Sequence, residues 1–125
     1  MAIITEDYVS FEIAKLLKEK GFMEGAIIKF FASGYDSKGN ILDIRDTELK
    51  DYPRPTLQMV MKWLREEKGI AAVPILRSVL DNEKFLWDIE ITVAKTNDTY
   101  HQGWTYESYE QACEAAIKYS LKNLT

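Results

Sequence analysis

The stretch that decides the fold is Ile70-Ala-Ala-Val-Pro-Ile-Leu-Arg-Ser-Val79, then Leu80-Asp-Asn-Glu-Lys84, then Phe85-Leu-Trp-Asp-Ile-Glu-Ile-Thr-Val93. The first ten residues are mostly β-branched or apolar, and the five that follow read as the turn. In the last nine, Phe85, Trp87, Ile89, Ile91 and Val93 alternate with Leu86, Asp88, Glu90 and Thr92. Period-two alternation predicts a half-buried antiparallel strand with one wet face. Pro74 lacks an N–H, which places the first strand at a sheet edge or at a bulge.

Working outward toward the C-terminus, Thr96-Asn-Asp-Thr99 reads as a turn and Tyr100 to Trp104 as a short third strand. Tyr109, Ala112, Cys113, Ala116, Ile117, Ser120, Leu121 and Leu124 then hold helical spacing over four turns. Ser108 with Gln111 forms a capping-box pattern at its start. Toward the N-terminus, Thr56 to about Lys68 is a helix with Leu57, Val60, Met61 and Leu64 inward, capped by Thr56 and stopped by Gly69. Arg45 to Pro55 is charged and ends in Tyr52-Pro-Arg-Pro55, which reads as a loop or stiff linker. Residues 26–33 and 41–44 read as strands around a polar turn. Residues 8–20 read as a helix with Val9, Ile13, Leu16 and Leu17 on one face and Gly21 as its stop. The expected fold is therefore one α+β domain over residues 1–125, with three helices packed on one face of a small, mostly antiparallel sheet.

Composition narrows the function classes. The chain has 125 residues, 46% of them hydrophobic, with 16 basic and 20 acidic side chains for a net charge of -4. A domain of this size buries roughly two thirds of its unfolded surface and needs no cross-link to fold. A single Cys excludes an internal disulfide, and one Cys with one His leaves no Cys/His zinc set. No run approaches a membrane span, and residues 1–7 do not follow the signal-peptide pattern, so the cytoplasm is the expected compartment. Charge is spread evenly, and only residues 51–68 are net positive. A nucleic-acid binder normally shows a basic face, so nucleic acid is not the favoured partner.

No catalytic set emerges. His101 has Asp98 as its nearest carboxylate in sequence and reads as a bystander, while Cys113 falls on the inner stripe of the last helix and reads as a buried filler. Asp43, Asp46, Glu48 and Asp51 crowd one stretch without the spacing of a calcium loop. No glycine-rich phosphate loop is present, so neither a cofactor nor a metal is expected, and an enzyme is the weaker reading. The remaining candidate is an interaction surface of Tyr52, Arg54, Met59, Lys62, Trp63 and Arg65, residue types that carry energy at protein interfaces. The plainer alternative makes Trp63 core and the basic residues solvated rim.

Three blocks carry a resemblance: Tyr8-Val-Ser-Phe-Glu-Ile-Ala-Lys-Leu-Leu-Lys-Glu-Lys-Gly-Phe22, Pro55-Thr-Leu-Gln-Met-Val-Met-Lys-Trp-Leu-Arg-Glu66 and Tyr106-Glu-Ser-Tyr-Glu-Gln-Ala-Cys-Glu-Ala-Ala-Ile-Lys-Tyr119. Their order resembles a family of small uncharacterised proteins encoded by bacteriophages and mobile elements of anaerobic gut bacteria. The resemblance implies a compact intracellular domain and no assigned activity. Together these readings favour a non-catalytic interaction or accessory domain whose partner is another protein or a second copy of itself. The alternatives are a weak nucleic-acid binder using the basic segment and a small hydrolase using the acidic loop.

Overall fold

Ser10 begins the ordered N-terminal helix: its side chain accepts the Ile13 N–H at 3.3 Å, which satisfies one of the orphan donors of the first turn. A computed structural model describes residues 7–22, 33–43, 51–80, 82–101 and 105–125. The chain divides into two compact units, residues 1–59 and 60–125. The described elements are α-helical and antiparallel β, an α+β class, with the strands shared between two three-stranded sheets.

In the first unit, α1 spans Phe11–Glu19 and buries Ile13, Ala14 and Leu17, with Leu16 half-buried. Gly21 takes a positive φ of 88°, and the Phe22 N–H returns to the Leu17 carbonyl at 3.0 Å, folding Phe22 into the core. Strands β1 (Ser33–Tyr35), β2 (Ile41–Asp43) and β3 (Tyr52–Arg54) make a sheet in the order β2-β1-β3. The strand expected at 26–33 lies outside the described residues except for Ser33. The returning strand at 41–44 is found at 41–43. The reading of 45–55 as a loop needs correction at its end, because Tyr52–Arg54 pairs with β1 and Pro53 lies opposite Gly34. An edge strand makes ladder bonds on one side only, which is where a proline is tolerated.

Asp36 shapes the β1–β2 turn by accepting the N–H groups of Lys38 and Asn40, each at 2.9 Å. The Asn40 N–H bond is the leading cause that lowers the Asp36 carboxyl below its ordinary value. Gly39 at φ 86° then brings the turn against α1: a Cβ placed there would lie 2.9 Å from the Phe11 ring. Phe11 also meets Tyr35 at 5.5 Å and Tyr52 edge-on at 5.3 Å. The Tyr35 hydroxyl donates to the Val9 carbonyl at 2.6 Å, and the Val9 N–H donates to the Pro55 carbonyl at 3.0 Å.

The division between the units falls inside α2 (Leu57–Trp63), whose start is capped by Thr56 accepting the Met59 N–H at 3.2 Å. The helix widens into a π turn over Leu64–Lys68, closed by the Gly69 N–H on the Leu64 carbonyl with Gly69 left-handed at φ 65°. In the second unit β4 (Ile70–Val79), β5 (Phe85–Val93) and β6 (Asp98–His101) form a meander in the order β4-β5-β6. Pro74 thus sits in an edge strand, as expected. The third strand begins earlier than expected, at Asp98, and residues 102–104 lie outside the described set. Helix α3 (Tyr109–Asn123) is capped by Ser108 accepting the Gln111 N–H at 3.0 Å. It lays Ala112, Cys113, Ala116, Ile117, Ser120 and Leu121 against β4 and β5. Ser120 is tolerated on that buried stripe because its hydroxyl donates to the Ala116 carbonyl at 2.8 Å.

Replacing Gly39 by Ala meets both obstacles at once, a left-handed backbone and the Phe11 ring. The left-handed conformation alone costs an L-residue about 1–2 kcal/mol. Urea unfolding should show G39A destabilised by at least that amount, and an unchanged midpoint would remove the packing role assigned to Gly39.

Candidate functional site

The six residues expected to form an interaction surface are divided by the boundary between the units. Tyr52, Arg54 and Met59 belong to the first unit; Lys62, Trp63 and Arg65 belong to the second. Tyr52 and Arg54 project from the same side of β3, paired with Tyr35 and Ser33 of β1. Both are half-buried. The Lys18 ammonium lies over the Tyr52 ring at 5.0 Å, and the Arg54 guanidinium lies over Tyr8 at 4.2 Å and near Tyr35 at 5.8 Å. Arg54 Nη1 donates to Ser33 Oγ at 2.6 Å. Met59 is half-buried, and Lys62 and Arg65 are exposed beside exposed Glu66 and Glu67. Trp63 is 9% exposed and counts with the core, with Lys68 Nζ over its ring at 5.4 Å. The large aromatic that would anchor a partner is therefore turned inward.

The other sequence candidates fall apart in space. His101 is exposed on β6, 3.9 Å from Glu90 across the ladder, and both partners are open to water, so the pair contributes little. Asp43 is exposed on β2 and Asp51 is buried, while Asp46 and Glu48 lie outside the described residues. Among the described residues no three His, Cys, Asp or Glu side chains are grouped as a metal would require. Cys113 is fully buried, and burial pushes its thiol up to about 11; a hydrogen bond with Tyr109 lowers it in part, and the charges of Glu110 and Glu114 add to the rise.

A different surface does come together, at the far end of the β4–β5 hairpin. The inner face of this sheet is a ladder of apolar pairs: Ile70 with Val93, Ala72 with Ile91, Pro74 with Ile89, and Leu76 with Trp87. Arg77 is then the extra residue of a bulge, so Ser78 pairs with Leu86 and Val79 with Phe85. A bulge adds one residue to one strand and thereby keeps Val79, instead of Ser78, on the face of Leu76. Arg77 itself reaches the buried Asp88 carboxylate at 3.6 Å, whose other oxygen accepts the Ile89 N–H at 2.7 Å. Tyr106 pairs with Trp87 through two backbone bonds, and its phenol is held above its ordinary value, first by burial and then by the Asp88 charge.

Along this one face, Ile70, Ala72, Ile89 and Ile91 are buried, but Leu76 is 50%, Val79 58% and Phe85 50% exposed, with Leu80 at the turn 41%. The reason is length. Helix α3 has 15 residues and spans about 22 Å at 1.5 Å per residue. Strand β4 has 10 residues and spans about 33 Å at 3.3 Å per residue. Even laid along the strands, the helix leaves roughly three residues of each strand uncovered. Its first residue, Tyr109, meets Trp87 edge-on at 5.2 Å, and Trp87 in turn meets Phe85 at 6.2 Å. The alternation in sequence placed Phe85 and Trp87 inside; comparing helix length with strand length would have shown that the cover runs out there.

Raising the Cys113 thiol from 9.0 to about 11 lowers its thiolate fraction at neutral pH by about a hundredfold, before access is considered. A disulfide reagent should therefore label the native protein at least a hundredfold more slowly than the urea-unfolded chain. Comparable rates in the two states would show that Cys113 is open. Comparison with protein-family models, with curated proteins and with solved structures finds no match for this chain.

Proposed function

We propose that this chain is a non-catalytic interaction domain that docks a protein partner on the uncovered end of the β4–β5 hairpin. The observation that carries this reading is the contiguous row Leu76, Val79, Leu80 and Phe85, about half exposed and continuous with the covered core of the same sheet face. Single exposed apolar residues are ordinary, but a connected row that a bulge keeps on one face marks an interaction site. The setting is the cytoplasm of a cell carrying a prophage or mobile element, as the sequence resemblance implies.

Completing the burial of four half-exposed side chains is worth about 1 kcal/mol each, or about 4 kcal/mol together. That sum alone gives only millimolar affinity. The row is therefore the anchor of an interface whose rim supplies the remainder. Arg77, Glu83 and Lys84 are exposed around it and offer both signs of charge. A second copy of the chain is an acceptable partner on these grounds.

A photo-crosslinking amino acid placed at Phe85, in cells carrying the native gene, should yield a discrete adduct. The same group at Lys122, exposed near the far end of α3, should not. Val79→Ser should abolish the adduct without unfolding the protein. No adduct from position 85, or equal adducts from both positions, would overturn the reading.

A further inference from the structure

Arg54 presents a problem that the hairpin does not touch. Its Nε is buried and has no hydrogen-bond acceptor. Buried polar groups in folded proteins are nearly always paired, and a donor on a charged group is among the most costly to leave alone. Among the described residues Arg54 makes no ion pair, although the chain carries 20 acidic side chains. Its contacts among the described residues are neutral: the Ser33 hydroxyl on Nη1 at 2.6 Å, the Tyr8 ring at 4.2 Å and the Tyr35 ring at 5.8 Å.

The arrangement is directional. Ser33 holds one end of the planar fork, and Tyr8 holds its face by stacking, so its orientation is set without a counter-charge. The edge made by Nε and the remaining Nη is left for a two-oxygen acceptor. Carboxylate and phosphate groups match that edge with paired, charge-assisted bonds. The residue as a whole is half-buried, so part of the side chain meets solvent.

We propose that Arg54, positioned by Ser33 and Tyr8, is a binding site for an oxyanion of the phosphate or carboxylate type. The bound group supplies the acceptor that Nε lacks and a negative charge that its contacts among the described residues do not. The site lies wholly within the first unit and is independent of the hairpin surface.

The test follows the arginine Nε–H resonances of the ¹⁵N-labelled chain during titration with inorganic phosphate, and separately with acetate, at ionic strength held constant with chloride. Arg54→Lys removes one resonance and so identifies that of Arg54. This resonance should move to saturation in at least one series while those of Arg65 and Arg77 stay in place. The stronger response tells a phosphate ligand from a carboxylate one. Ser33→Ala, which frees Nη1, should weaken the binding about fivefold to tenfold, the loss of one hydrogen bond to a charged group. An Arg54 resonance that stays fixed in both series, or that drifts without saturating alongside the other arginines, would overturn the proposal.

Discussion

A residue in a helix advances its chain less than half as far as a residue in a strand, and the second unit is organised by that difference. Helix α3 and the β4–β5 hairpin are each apolar along one face, yet the hairpin strand is the longer by about a half. Where they overlap, Ile89, Ile91, Ile117 and Leu121 are fully buried. Past Tyr109, where α3 begins, the same sheet face continues with Leu76, Val79 and Phe85 about half exposed. Core and candidate interface are thus two stretches of a single apolar row, separated only by where the helix begins.

The bulge at Arg77 adds a second condition. By shifting register once, it extends the apolar row to Val79 and also delivers a guanidinium to Asp88, a carboxylate buried on the central strand. A desolvated carboxylate needs a partner, and the extra residue supplies one while leaving the Ile89 N–H to hold the other oxygen. The first unit is held by a comparable economy of contacts. Phe11 receives the Gly39 turn, Tyr35 and Tyr52, and the Tyr35 hydroxyl fastens the chain entering α1. The Arg54 guanidinium packs against the Tyr8 and Tyr35 rings, and its Nη1 donates to the Ser33 hydroxyl.

Much of the secondary structure was legible in the residues. Ser108 caps the helix that its pattern with Gln111 predicts, Gly21 and Gly69 are left-handed stops, and β4 spans the residues its pattern predicts. Pro53 argues for a loop only where a strand is central; β3 is an edge, and there proline fits. The candidate site was less legible. Trp63 was singled out for its residue type, but type does not tell which way a side chain on the flank of a helix faces. Phe85 and Trp87 share one alternation with Ile89 and Ile91, so the pattern marked all four as inner face. It carried no information about how far the covering helix reached.

The sequence by itself determined the class and the local elements, because capping, turn chemistry and hydrophobic period act over a few neighbouring residues. It also shows a single Cys and a single His, too few for a four-ligand Cys/His zinc site. Only the tertiary structure decided that the described strands form two sheets, that Trp63 is core, that Arg54 is stacked on Tyr8 with no acidic partner among the described residues, and that the apolar face of the hairpin outruns its helix. Each of those outcomes depends on distances between residues far apart in the chain, and such distances are set by packing and by the unequal lengths of the packed elements.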